Sequence, residues 1–85
     1  MPFDILLVDD EINSVKVLSA ALAGDQFCVE TALSGEEAFS MFKQKHFDLV
    51  ISDYKMPGMN GEMLLDKVKT VNPDVPFILL TAYGT

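Results

Sequence analysis

Several things that would define other protein classes are scarce or missing in this chain. It has one cysteine, Cys28, so no disulfide can close within it, and a lone thiol fits a reducing compartment. Cations are few and dispersed: six lysines and arginines stand against thirteen aspartates and glutamates, for a net charge of −7 and a pI near 4.3. That balance argues against a non-specific grip on nucleic acid or on an anionic membrane surface, because both need cationic patches. No direct nucleic-acid or membrane partner is expected. No apolar run approaches membrane-spanning length. The start, Met1-Pro2-Phe3-Asp4, has no positive region, and the apolar stretch after it ends at once in acids, so no secretory signal is read. The expected location is cytoplasmic. Repeats, linkers and low-complexity segments are also missing. At 85 residues there is room for one core, and a chain this short buries only about 60–65% of its unfolded surface.

What is present alternates. Ile5-Leu6-Leu7-Val8, stopped by Asp9-Asp10-Glu11, reads as a strand buried on both faces. Ile12, Val15, Leu18 and Leu22 follow at helical spacing, with Gly24 as a stop. Phe27 to Thr31 alternates like an edge strand, and Ser34-Gly35-Glu36-Glu37 has capping-box spacing ahead of a helix through Ala38, Met41 and Phe42. Phe47 to Ser52 repeats the first pattern, a buried run ending in an acid, Asp53. After the turn from Tyr54 to Gly58, Leu64, Leu65, Val68 and Val71 form one helical stripe closed by Asn72-Pro73, and Pro76 to Leu80 is a fourth buried strand. Alternation of this kind predicts an α/β fold with a parallel sheet and right-handed crossovers. The polarity of the second strand against the apolarity of the first and third gives the order 2-1-3-4, with the switch point between strands one and three.

Ligands in such sheets bind at the carboxyl ends flanking the switch point. Here those ends carry Asp9, Asp10 and Asp53. Three converging carboxylates repel one another unless a cation neutralises them, and an all-oxygen donor set suits Mg2+. A single acid after a strand is more often a solvated loop tip or a helix cap; the three together point to a metal site. A metal beside a carboxylate opens two chemistries, water activation or use of the carboxylate as a nucleophile toward phosphorus. Thr81, at the end of the fourth strand, offers a hydroxyl to an anion bound at Asp53, or is simply a β-branched strand residue.

Leu7-Val8-Asp9-Asp10-Glu11, Ile51-Ser52-Asp53-Tyr54-Lys55-Met56-Pro57-Gly58-Met59-Asn60-Gly61 and Leu79-Leu80-Thr81-Ala82-Tyr83-Gly84-Thr85 together resemble a response-regulator receiver domain over the whole chain. The ending further resembles receivers of NtrC-like regulators that precede a sigma-54-activating ATPase. The resemblance implies a CheY-like, flavodoxin-type fold. It implies that Asp53 accepts a phosphoryl group from a sensor histidine kinase, that Asp10, Asp53 and the Lys55 backbone carbonyl hold Mg2+ with Asp9 assisting through water, and that Thr81 is the switch hydroxyl. The resemblance also implies that Tyr54 and Ala82 border access to the site. Receivers of this kind carry a further helix, a fifth strand with a lysine, and a final helix. Residues 1–85 are therefore expected to be an incomplete receiver, with none of the six lysines placed at a strand end where it could substitute.

The expected role is a signalling phosphoacceptor with at most slight self-phosphorylation and dephosphorylation, not a turnover enzyme. A pseudo-receiver used only for docking is the alternative. An aspartyl phosphatase would want an Asp-x-Asp pair, which Asp53-Tyr54-Lys55 lacks. A fourth strand left as an apolar edge predicts a homo-oligomer. His46 is given no function, Cys28 is read as a packed small hydrophobe, and Met41 and Met63 as packing residues.

Overall fold

The computed structural model describes residues 3–24 and 26–80. Strands β1 (Phe3–Val8), β2 (Phe27–Ala32), β3 (Leu49–Asp53) and β4 (Phe77–Leu80) alternate with helices α1 (Ile12–Leu22), α2 (Gly35–Gln44) and α3 (Gly61–Val71). All pairings are parallel and the sheet order is β2-β1-β3-β4, as the sequence predicts. β1 begins two residues earlier than the apolar run suggests, because Phe3 pairs in register with Phe27 and packs edge to face against its ring at 6.0 Å. β3 begins later than expected. Phe47 serves as a core residue ahead of the strand, stacked on Phe42.

One face of the sheet is far better covered than the other. Leu6, Val8, Val50, Leu64 and Val68 are fully buried in a cluster with Ala38, Phe42 and Phe47 beneath α2 and α3. Each such side chain stabilises the fold by about 1.5–3 kcal/mol. The opposite face, bearing Ile5 and Leu7, receives only α1 among the described elements. Ile5 and Leu7 are buried there, Leu49 and Ile51 are half-buried, and Ile78 and Leu80 on β4 are exposed.

The helix ends show where local chemistry acted. Ser34 caps α2 by accepting the Glu37 N–H at 3.1 Å. The return bond of the box reaches one residue further than expected, from the Leu33 N–H to Glu37 Oε1 at 2.9 Å. Asn60 caps α3 through the Met63 N–H. α1 stops at Ala23, whose backbone turns extended with φ −63° and ψ 143°, so Gly24 is not used as a left-handed cap. Some packing expectations fail. β4, read as a buried strand, has Phe77 and Leu79 half-buried and Ile78 and Leu80 exposed, because it is the outer strand on its side of the sheet. Cys28 is exposed, because β2 is the outer strand and this residue sits at its amino end, near Lys45. Met63 is 49% exposed on the outer face of α3, whereas the turn residue Met56 is buried in the core.

Candidate functional site

The register of β1 on β3 brings Val8 opposite Ser52, both with no exposed surface. The next residues along, Asp9 and Asp53, therefore leave the sheet side by side. One oxygen from each of Asp9, Asp10 and Asp53 lies within 4.8 Å of the others. Asp9 is buried, Asp53 half-buried and Asp10 exposed. Asp9 is fixed twice: its N–H donates to the Ala32 carbonyl at 3.2 Å, and its Oδ1 accepts the Glu11 N–H at 2.9 Å. Asp53 is fixed by the sheet, and the Tyr54 N–H after it donates to the Leu80 carbonyl at 2.8 Å.

These surroundings push Asp53 up from its ordinary carboxylate value. Burial is the largest cause, and the negative charge of Asp9 follows; the Tyr54 backbone N–H opposes them, and Asp10 adds further repulsion. A cluster of hard oxygens that resists ionisation at its centre has the donor chemistry of a divalent cation such as Mg2+. A groove of about 390 Å3 opens beside it, lined by Asp10, Tyr54, Lys55, Met56, Pro57 and Asn60. Lys55 is thus on the loop that flanks the acids.

The loop after Asp53 depends on close backbone contact. Gly61 opens α3 directly against β3: its N–H donates to the Tyr54 carbonyl at 2.9 Å, and a Cβ there would collide with the Asp53 carbonyl oxygen and come within 2.6 Å of Leu79 Cδ1. Gly58 has φ +72°, a conformation that glycine adopts without strain. The structure so brings Asp9, Asp10, Asp53 and Lys55 to one end of the sheet. Thr81 and Ala82 lie outside the described residues. The sequence reading missed Glu36, whose Oε2 accepts the Met59 N–H at 3.1 Å across 23 residues. Its place in an apparent capping box gave no hint of that contact.

The model of the response regulator receiver domain family matches residues 5–85. The chain belongs to that family. This receiver is 39% identical over 82 residues to the transcriptional regulatory protein ZraR of Escherichia coli K12, covering 96% of the receiver chain and 19% of the relative. It is 39% identical over 84 residues to the transcriptional regulatory protein GlrR of the same strain, covering 99% and 19%. The receiver chain thus spans about a fifth of the length of these curated relatives. Among solved structures, chemotaxis protein CheY4 of Vibrio cholerae matches with a TM-score of 0.93 and 31% identity, over all of this chain and 72% of that one. Response regulator protein TrrA of Thermotoga maritima, in complex with Mg2+-BeF, matches with a TM-score of 0.91 and 39% identity, over 96% of this chain and 71% of that one. No helix among the receiver's described residues is long and apolar enough to cross a membrane.

Proposed function

We propose that Asp53 of this receiver accepts a phosphoryl group from a sensor histidine kinase, with Mg2+ as cofactor, and that Thr81 supplies the hydroxyl that switches conformation. The observation that carries the reading is the convergence of Asp9, Asp10 and Asp53 oxygens within 4.8 Å. Asp10, Asp53 and the Lys55 backbone carbonyl are assigned to hold the ion, and Asp9 to act through water. The bound ion supplies neutralisation of the charge on the phosphoryl oxygens. Asp53 must be ionised to act: one carboxylate oxygen bonds to phosphorus as the phosphorus–nitrogen bond to the donor imidazole breaks, and the electron pair stays on that nitrogen. Asp9 and Asp10 oppose this ionisation, so acceptance depends on counter-charge.

The resemblance to ZraR and GlrR, both transcriptional regulatory proteins, supports a transcriptional output; its sigma-54 type and a cytoplasmic location are assigned from the sequence alone. The exposed side chains of Ile78 and Leu80 support a homo-oligomer. Intact mass after incubation with acetyl phosphate and Mg2+ is the test. The chain is expected to gain one phosphoryl increment, and Asp53→Asn none. A modified Asp53→Asn protein refutes the assignment, and an unmodified parent chain favours a docking module without phosphotransfer.

A further inference from the structure

We infer that Glu36 is a positioning residue for the acidic site: through the Met59 N–H it holds the β3–α3 loop in the shape that presents Lys55, so cation affinity depends on a carboxylate outside the cluster. The affinity part rests on the Mg2+ reading above; the loop clamp does not.

Glu36 is exposed in the first turn of α2, where an acid ordinarily needs no more explanation than the helix dipole. Its contacts go further. Oε2 accepts the Met59 N–H at 3.1 Å, and a Cβ built on Gly58 would lie 2.9 Å from the same oxygen, so the loop backbone runs directly against the carboxylate. Gly35, one residue earlier, makes the approach possible from the helix side. A Cβ there would sit 2.7 Å from the Met59 carbonyl oxygen and 2.9 Å from Met59 Cβ. Gly35 thus lets α2 reach the loop backbone, Gly58 leaves room for the carboxylate, and Glu36 binds a main-chain donor of the loop where they meet.

The other end of the loop is pinned separately. Tyr54 donates to the Leu80 carbonyl and accepts from the Gly61 N–H. Lys55 to Gly58 span the interval between these two pins, with the Met56 side chain buried beneath. Loss of Glu36 removes one of the bonds that fix that interval, while its Tyr54 end, the buried Met56 and the packing of Met59 against the core remain. The Lys55 carbonyl then samples more orientations, and a small ion that demands near-ideal octahedral geometry is sensitive to such freedom.

Three variants of the purified chain separate this from simple charge attraction or helix fraying. Glu36→Ala removes acceptor and charge, Glu36→Gln keeps an acceptor oxygen without the charge, and Glu37→Ala breaks the cap to the Leu33 N–H in the same turn without touching the loop. Mg2+ affinity from amide-shift titration is expected to fall about 3–10-fold in Glu36→Ala, the effect of one ordinary hydrogen bond. It should stay within about 2-fold of the parent in the other two variants. Without metal, amide exchange at Lys55 and Met56 should quicken in Glu36→Ala and not in Glu36→Gln. Unchanged exchange in Glu36→Ala overturns the clamp, and a Gln variant as weak as the Ala variant overturns the hydrogen bond as its agent. Absence of Mg2+ binding by the parent chain overturns the site reading and the affinity claim together, and leaves the exchange result to decide the clamp.

Discussion

Removing the charge of Asp53 should stabilise the fold. One oxygen from each of three carboxylates sits within 4.8 Å of the others. At that separation two unit charges repel by about 3.5 kcal/mol at an effective dielectric of 20 and by about 0.9 kcal/mol in bulk water. Asp10 is exposed, so its share lies near the lower figure; Asp9 is buried and Asp53 half-buried, so theirs lies between the two. After discounting for solvent, Asp53→Asn is expected to relieve about 1–2 kcal/mol at neutral pH. In a domain of this size about 1 kcal/mol moves Tm by about 4–8 °C, so the variant should melt several degrees higher in metal-free buffer at pH 7. The sign follows from the raised proton affinity of Asp53 in the fold. Between its ordinary and its raised value the native state binds more protons than the unfolded chain, so stability falls as pH rises through that window. Below the window, by about pH 3, the penalty is gone and the two proteins should differ little. Mg2+ should close the gap from the other side by stabilising the parent more than the variant. Thermal melts at pH 3 and pH 7, with and without Mg2+, provide the measurement. A variant less stable than its parent at pH 7, or a gain that persists at pH 3, would refute the reasoning from charge.

Asp10→Asn should weaken Mg2+ binding strongly while leaving the fold intact; amide-shift titration checks it, and largest shifts away from Asp9, Asp10 and Asp53 to Lys55 would count against the site. Gly61→Ala should destabilise by about 1–3 kcal/mol through overpacking against the Asp53 carbonyl and Leu79, seen as a lower denaturation midpoint. Self-association should follow from Ile78 and Leu80 exposed beside the half-buried Leu49 and Ile51, with burial of about 400 Å2 returning about 10 kcal/mol before association costs. Light scattering over a dilution series tests this, Ile78→Lys should shift the species toward monomer, and a cooperatively melting monomer at high concentration would contradict it.

Most of the fold was legible because its signals are local. Buried strands announce themselves as apolar runs, and the polarity of β2 was enough to put it at the edge and fix the sheet order. The misses share a physical cause. Cys28 and Met63 have apolar side chains, but whether such a residue is covered depends on which elements pass over it, and the sequence around it does not say. Met56 reads as part of a turn because Pro57 and Gly58 follow it, yet the loop folds that side chain back into the core beneath α2 and α3. Glu36 was hidden most completely. Capping-box spacing accounts for an acid in that turn, and its partner lies 23 residues away. Asp9, Asp10 and Asp53, by contrast, were legible because parallel strands with like patterns end at the same level of the sheet.

That last regularity explains why the acids do not simply move apart. Neighbouring strands lie about 4.8 Å from each other, and Val8 and Ser52, the paired residues just before Asp9 and Asp53, have no exposed surface. Aspartate side chains are short, so the strand spacing sets how far their oxygens can retreat. Asp9 is buried and accepts the Glu11 N–H, so turning it away from Asp53 would break that bond or displace the packed end of β1; the exposed Asp10 is the freer of the three. The sheet therefore holds like charges close with free energy drawn from apolar burial elsewhere. An ion that binds the native cluster and not the unfolded chain recovers that free energy as binding. It follows that a variant whose acids were relaxed apart would be more stable without metal and bind it less well, so the strain in the cluster and its affinity for a cation have one origin.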